Sequence, residues 1–140
     1  MQINISELLP HRDPFILITA LIASDKKETI SQFKIDPNHV LVDNNLLTEG
    51  GLIENIAQTA AAGLAYQENS LDEMEANEPK IGYLGQVKNL KIHQLPSAGE
   101  VIETKTTNVT QIMNAHIVQA EVFLKDILIA EAEVRVFVQV

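Results

Sequence analysis

The chain has 140 residues and a formal net charge of −9, contains no cysteine, and is 46% hydrophobic and 21% charged. These values are typical of one globular domain, and we expect a single domain over residues 1–140. The missing cysteines exclude disulfides, thiolate metal sites and a cysteine nucleophile. The acidic charge argues against binding to nucleic acid or to anionic membranes.

No apolar run approaches the roughly 20 residues of a membrane span. Residues 1–12 read M-Q-I-N-I-S-E-L-L-P-H-R, which is not a signal-peptide pattern because no basic region precedes an apolar core. We therefore expect a cytoplasmic protein.

The predicted elements are a short helix, a hairpin, a long helix and then four strands. The short helix covers residues 5–9, and Pro10 ends it before a turn at residues 11–14. We predict strands at residues 15–23, 28–35, 80–92, 101–110, 116–124 and 127–140. Residues 40–47 are a connection with a turn at 43–45, residues 68–79 are a polar loop, and residues 125–126 are a tight hairpin turn.

The long helix covers residues 48–67 and carries a broad apolar stripe rich in alanine. Thr48 is a suitable N-cap, and Glu49 places a negative charge where the helix dipole favours it. Glu54 falls at the edge of the stripe, one turn before Gln58. Such a carboxylate is either a solvated flank residue or part of a site.

One alanine-rich helix beside a large antiparallel sheet predicts an α+β fold in which the sheet curls around the helix. The last strand supports this plan because apolar residues alternate with polar ones from Ala130 to Gln139. Such a sheet leaves edge strands, and pairing of edges across a two-fold axis predicts a dimer.

Three stretches resemble one enzyme family. Residues 8–17, L-L-P-H-R-D-P-F-I-L, resemble the L-L-P-H-R-x-P-F-L-L opening of the FabZ-type 3-hydroxyacyl-acyl-carrier-protein dehydratases. Residues 54–58, E-N-I-A-Q, resemble that family's helix motif E-A-x-A-Q, and residues 82–92, followed by residues 96–100, resemble its strand and P-G-D turn. The family's H-F-P-G motif is absent, and in this respect the chain resembles the ApeP-like branch of aryl polyene and related pathways.

This resemblance implies a hotdog fold, with a curved antiparallel sheet around one long helix, and a dimer that forms a double hotdog. It implies active sites at the dimer interface that use residues of both subunits. The implied reaction is dehydration of 3-hydroxyacyl thioesters to trans-2-enoyl thioesters. The implied partner is an acyl carrier protein with a phosphopantetheine-linked acyl chain, together with a second hotdog subunit that is either identical or different.

The dehydration needs a base near C2 and an acid near the departing C3 hydroxyl. Glu54 is the candidate acid, and the candidate base is His39 or His11, from the same or the other subunit. Gly50 and Gly51 at the helix N-terminus are candidate backbone donors to the thioester enolate.

Three further residues are candidates for substrate binding. Gln58 could orient Glu54 by a hydrogen bond. The resemblance places Tyr83 at the mouth of an acyl tunnel, although core packing is its alternative role. Gly85 marks either a strand bulge or a close approach to substrate.

We expect no metal and no other cofactor. His93 and His116 lack acidic or histidine partners at metal-ligand spacing, so we interpret them as surface residues. No glycine-rich nucleotide-binding motif occurs.

Dehydration is therefore the leading hypothesis. An acyl thioesterase of the hotdog fold is the first alternative, with the helix carboxylate activating water. A non-catalytic acyl-binding or partner subunit of a dehydratase complex is the second alternative, because the H-F-P-G motif is missing.

Overall fold

The computed structural model describes residue 9 and residues 14–71 and 82–138. These residues contain one long helix, α1 (Glu49–Leu71), and eight strands. The strands are β1 (Ala20–Ser24), β2 (Glu28–Lys34), β3 (Val42–Asp43), β4 (Leu46–Leu47), β5 (Gly82–Ile92), β6 (Val101–Ile112), β7 (Ala115–Leu124) and β8 (Ile127–Val138).

Six strands form one sheet in the order β1-β2-β6-β7-β8-β5, and all its neighbouring pairs are antiparallel. Strands β3 and β4 form a separate small hairpin just before α1. The helix packs against the large sheet, so the predicted α+β hotdog architecture is confirmed. Strands β1 and β5 are the two edges.

Both sides of α1 are covered by protein. On one side, Leu52, Ile56 and Leu64 pack with sheet residues in the main core. On the other side, Ala61, Ala62 and Ala65 pack against Leu9, Ile18 and Leu21. The buried arc is therefore wider than the predicted stripe, and its alanines let the chain segment before β1 approach the helix closely.

Two tight turns need backbone angles that few residues adopt. Asn44 and Asn45 have φ of 51° and 64°, and Lys125 and Asp126 have φ of 50° and 66°. Two successive residues with positive φ form the type I′ turn that matches the twist of a hairpin. Both predicted turns are confirmed.

The predicted strand at residues 15–23 is wrong in its first half, because β1 begins only at Ala20. The backbone of residues 15–17 bonds instead to side chains of α1. The predicted loop at 68–79 is also wrong at its start, since α1 continues to Leu71. Glutamine and glutamate have good helix propensity, which lets the helix extend past its apolar stripe.

Some predicted features lie outside the described residues. They are the short helix at residues 5–8, most of the turn at residues 11–14, and the loop from residue 72 onward. Within residues 14–71 and 82–138, no helix combines the length and the hydropathy that crossing a membrane requires.

Candidate active site

Thr48 holds the first turn of α1. Its Oγ1 accepts a hydrogen bond from the Gly51 N–H at 3.2 Å and donates one to the Leu41 carbonyl at 2.9 Å. The predicted N-cap is confirmed. Gly51 is buried, and a side chain there would overlap Leu47, whereas Gly50 is exposed with open space beside it. The hydroxyl of Thr48 thus caps the N–H of Gly51 and not that of Gly50.

Glu54 lies one turn further along α1, and its side chain is half-buried. The next residue, Asn55, is completely buried. Glu54 therefore stands at the border of the buried arc, as the sequence predicts. A carboxyl group at such a border is partly shielded by protein and still reachable from outside the core.

Gln58 binds the backbone of the segment before β1. Its Oε1 accepts a hydrogen bond from the Leu17 N–H at 2.8 Å, and its Nε2 donates one to the Phe15 carbonyl at 3.0 Å. Gln58 is only 1% exposed, so its amide group is shielded from water. The predicted hydrogen bond to Glu54 is not among these two contacts.

Asn55 connects the same segment to the sheet. Its Nδ2 donates to the Leu17 carbonyl at 2.8 Å, and its Oδ1 accepts a hydrogen bond from Thr104 on β6. Thr59 donates to the Asn55 carbonyl at 2.8 Å, which leaves Ser31 on β2 as the donor in the 2.7 Å bond between the Ser31 and Thr59 hydroxyls. A polar network thus crosses the interface of helix and sheet.

Both ring nitrogens of His39 have backbone partners. Nδ1 accepts a hydrogen bond from the Leu41 N–H at 3.0 Å, and Nε2 lies 3.1 Å from the Ile16 carbonyl. Since Nδ1 accepts, the ring proton is on Nε2 and is donated to Ile16. The ring also packs edge-to-face against Phe33, with centroids 5.8 Å apart.

The structure therefore brings two of the motif regions, residues 8–17 and 54–58, together with His39. Gln58 and Asn55 hold residues that follow the L-P-H-R motif, and His39 holds Ile16 between them. Asn55 was not a candidate from the sequence. The sequence signal for Asn55 is a polar residue at the position where the FabZ helix motif has alanine.

The other candidates stand apart from this cluster or outside the described atoms. His11 lies outside the described residues, and of Tyr83 only the backbone is described, opposite Phe137 in the β5–β8 pairing. Gly85 is at a bulge of β5, where a side chain would overlap the Phe137 ring. The predicted bulge is confirmed, and Phe137 explains the glycine.

Within residues 14–71 and 82–138, no three histidine, aspartate or glutamate side chains group as metal ligands. His93 is exposed, and its Nε2 lies 3.4 Å from a carboxylate oxygen of Glu131. His116 is half-buried beside the turn between β6 and β7, so its prediction as a surface residue holds only in part.

Comparison with known proteins decides the family. The family model for ApeP-like proteins, described as ApeP dehydratase, matches residues 3–139. The chain belongs to the ApeP-like dehydratase family. The predicted resemblance and the predicted class of enzyme, a dehydratase and hence a lyase, are confirmed.

A relative supports this assignment, and two solved structures share the fold. The 3-hydroxyacyl-[acyl-carrier-protein] dehydratase FabZ of Campylobacter lari is 25% identical over an alignment of 141 positions, which covers 96% of this chain and 94% of that protein. A chain of the dehydratase heterocomplex ApeI:P from Xenorhabdus doucetiae matches with a TM-score of 0.88 at 12% identity, over 100% of this chain and 93% of that one.

A hypothetical thioesterase with coenzyme A from Streptococcus pneumoniae has a TM-score of 0.65 at 12% identity, over 85% of this chain and 84% of that one. At such identities, the two solved structures show a common fold and no more. Dehydratases and a thioesterase thus share this architecture, and the family match distinguishes between them.

Proposed function

We propose that this ApeP-like protein dehydrates 3-hydroxyacyl thioesters carried on an acyl carrier protein to trans-2-enoyl thioesters, in a fatty-acid-like or aryl-polyene-like pathway. The match of the dehydratase family over residues 3–139 carries this proposal. The relative from Campylobacter lari, named as a dehydratase of acyl-carrier-protein substrates, supports the substrate class.

In the proposed reaction, a base removes the proton from C2 while Glu54 gives a proton to the C3 hydroxyl, which leaves as water. The electron pair of the broken C–H bond forms the new double bond. Glu54 suits the acid role because it is half-buried at the helix border. The exposed Gly50, one turn earlier, offers a backbone N–H to the thioester oxygen as negative charge develops there.

The base is a histidine of this chain or of a second subunit. To act as base through Nδ1, His39 would have to lose the hydrogen bond from the Leu41 N–H. To act through Nε2, it would have to move its ring proton to Nδ1 and lose the bonds to both Leu41 and Ile16. We therefore place His11, from either subunit, before His39 in this role. Tyr83 and Gly85 remain proposed contacts of the acyl chain, whereas the amide of the buried Gln58 is bound to Leu17 and Phe15.

We also propose that the protein acts with a second hotdog subunit. Edge strand β5 has 11 residues with two register shifts, whereas edge strand β1 has 5 residues with one. The longer edge offers more main-chain groups for pairing with another sheet. The neighbour whose name describes a dehydratase heterocomplex supports a different subunit as the partner, and an identical one is the alternative. The expected cytoplasmic location stays a prediction.

In the decisive experiment, the protein is incubated with a 3-hydroxyacyl thioester of acyl carrier protein, and the formation of enoyl product and of free thiol is measured. We expect enoyl product, and we expect Glu54→Gln to lower turnover by about 10²–10⁴-fold, the usual contribution of a general acid. The matched control is Glu49→Gln, an exposed carboxylate in the first turn of the same helix.

Other outcomes would point to the alternatives. Thiol release without enoyl product would support a thioesterase and overturn the proposal. Turnover only after adding a second hotdog protein, with the Glu54→Gln effect absent, would support a non-catalytic partner subunit.

A further inference from the structure

Three side chains form hydrogen bonds with the backbone of residues 15–17, on both sides of this segment. Gln58 and Asn55 bind it from α1, and His39 binds it from the connection after β2. We propose that these three residues form a clamp that sets the position of this segment relative to Glu54, and that His39 is a positioning residue and not the base. This inference rests on the proposed dehydratase function.

The helix side of the clamp binds as a neighbouring β-strand would. The Gln58 amide pairs with the Phe15 carbonyl and the Leu17 N–H, which are the groups that a strand presents on one side. Asn55 adds the Leu17 carbonyl at 2.8 Å. Residues 15–17 thus have the hydrogen bonds of a strand while lying outside the sheet, which explains why β1 begins later than predicted.

The other side of the clamp is His39. Its Nε2–H donates to the Ile16 carbonyl, which lies between the two residues that Gln58 binds. The Leu41 N–H fixes the ring tautomer through its hydrogen bond to Nδ1, and Phe33 fixes the ring plane. A ring held at both nitrogens is suited to orienting a backbone, because no lone pair is left to accept a proton from substrate.

The clamp has a rigid base. Gln58 and Asn55 are 1% and 0% exposed. Asn55 is bonded to Thr104 on β6, and through Thr59 it is linked to Ser31 on β2. Because Glu54 directly precedes Asn55 on the same helix, the clamp fixes the distance between the acid and residues 15–17. A misplacement of about 1 Å at this point is enough to lower turnover about 10²-fold.

The test compares variants of the full chain that remove clamp bonds with variants that keep them. Gln58→Met removes both amide bonds at similar volume, and His39→Phe removes both ring bonds. His39→Gln keeps an N–H that can reach the Ile16 carbonyl but cannot act as a base. His93→Gln, at an exposed histidine, and Gln111→Met, at an exposed glutamine of β6, are the matched controls.

Two readouts are measured for each variant: kcat and KM over a range of pH, and hydrogen exchange of the Leu17 amide, whose N–H bonds to Gln58. We expect Gln58→Met and His39→Phe to lower kcat about 10²-fold with a smaller change in KM. We expect His39→Gln to keep kcat within about tenfold of the wild type and to leave the pH profile unchanged. Leu17 exchange should accelerate in Gln58→Met and stay slow in both controls.

Contrary results are equally clear. If His39→Gln loses as much activity as Glu54→Gln and the acidic limb of the pH profile disappears, His39 is the base and the proposal is overturned. If Leu17 exchange is unchanged in Gln58→Met, the clamp does not hold the segment. If the wild type makes no enoyl product even with a second hotdog subunit, the proposed function fails and the positioning role fails with it, while Leu17 exchange still decides whether the clamp exists.

Discussion

Thr104 on β6 donates a hydrogen bond to Asn55 on α1, although 49 positions separate them in the chain. Both residues are 0% exposed. This bond joins the middle of the sheet to the helix turn that follows Glu54. A buried polar pair of this kind specifies one register between helix and sheet, because any other register would leave both groups without a partner.

We expect Asn55→Ala to destabilise the protein by about 1–3 kcal/mol, although alanine is the residue that the FabZ helix motif has here. The substitution leaves the Leu17 carbonyl and the Thr104 hydroxyl buried without this partner. Urea unfolding of Asn55→Ala, Thr104→Val and the double variant measures the coupling. The double variant should cost about 0.5–3 kcal/mol less than the two single losses combined, and strict additivity would contradict a direct interaction.

The helix cap at Thr48 gives a second prediction. Thr48→Ala removes the oxygen that accepts from Gly51 N and donates to the Leu41 carbonyl. We expect a loss of about 1 kcal/mol in the free energy of unfolding, the usual value of such a cap. Thr48→Ser is the control, since it keeps the oxygen and should stay close to the wild type. Equal losses for the two variants would show that the cap bond is not the cause.

Two glycines of α1 should respond in opposite directions to alanine. A Cβ at Gly63 would overlap the Thr29 side chain on β2, so Gly63→Ala should cost about 1–3 kcal/mol through overpacking. A Cβ at Gly50 has open space, so Gly50→Ala should stabilise by about 0.4–1 kcal/mol through the lower entropy of the unfolded chain. Thermal unfolding of the two variants side by side checks this difference. A stable Gly63→Ala protein would mean that β2 and the helix separate easily.

Asp25, in the turn between β1 and β2, gives a pH prediction. Backbone N–H groups of Glu28 and Lys27 donate to its carboxylate, and these bonds lower the pKa of Asp25 below its ordinary 3.8. A lowered pKa means that the folded state prefers the ionised carboxylate. The stability it contributes is therefore present above the unfolded-state pKa and is lost as the pH falls through the folded-state pKa.

An NMR titration of the Asp25 carboxyl should thus give a midpoint below 3.8. The stability difference between wild type and Asp25→Ala should shrink as the solution becomes more acidic than this midpoint. A midpoint at or above the ordinary value would show that the two backbone bonds do not persist in solution.

Much of the fold could be predicted from local patterns. The alternation in β8 correctly predicted the buried positions Ala130, Ala132, Val134 and Val136, because period-two patterning directly reflects which face of a strand is covered. The turn at Lys125 and Asp126 followed from its position between two apolar runs. The start of β1 could not be predicted, because residues 15–17 are as apolar as a strand and only their partners, side chains distant in sequence, differ.

The site could be predicted in part. Glu54 was found because a carboxylate interrupts an apolar helix, and its half-buried position agrees with that reading. The partners of Gln58 and His39 could not be predicted, since each bonds to main-chain groups that carry no side-chain signal in the sequence. A backbone carbonyl is available at every residue, so only the fold decides which one a buried amide meets.

The strand order also has a consequence for how the chain folds. Strands β6, β7 and β8 are joined by tight turns and form one local meander. Strand β2 pairs with β6 although α1 and β5 lie between them in the chain. Closing so long a loop costs entropy before any contact compensates for it. We therefore expect the C-terminal meander to form early and the N-terminal hairpin to dock late, so that the clamp on residues 15–17 closes in one of the last steps of folding.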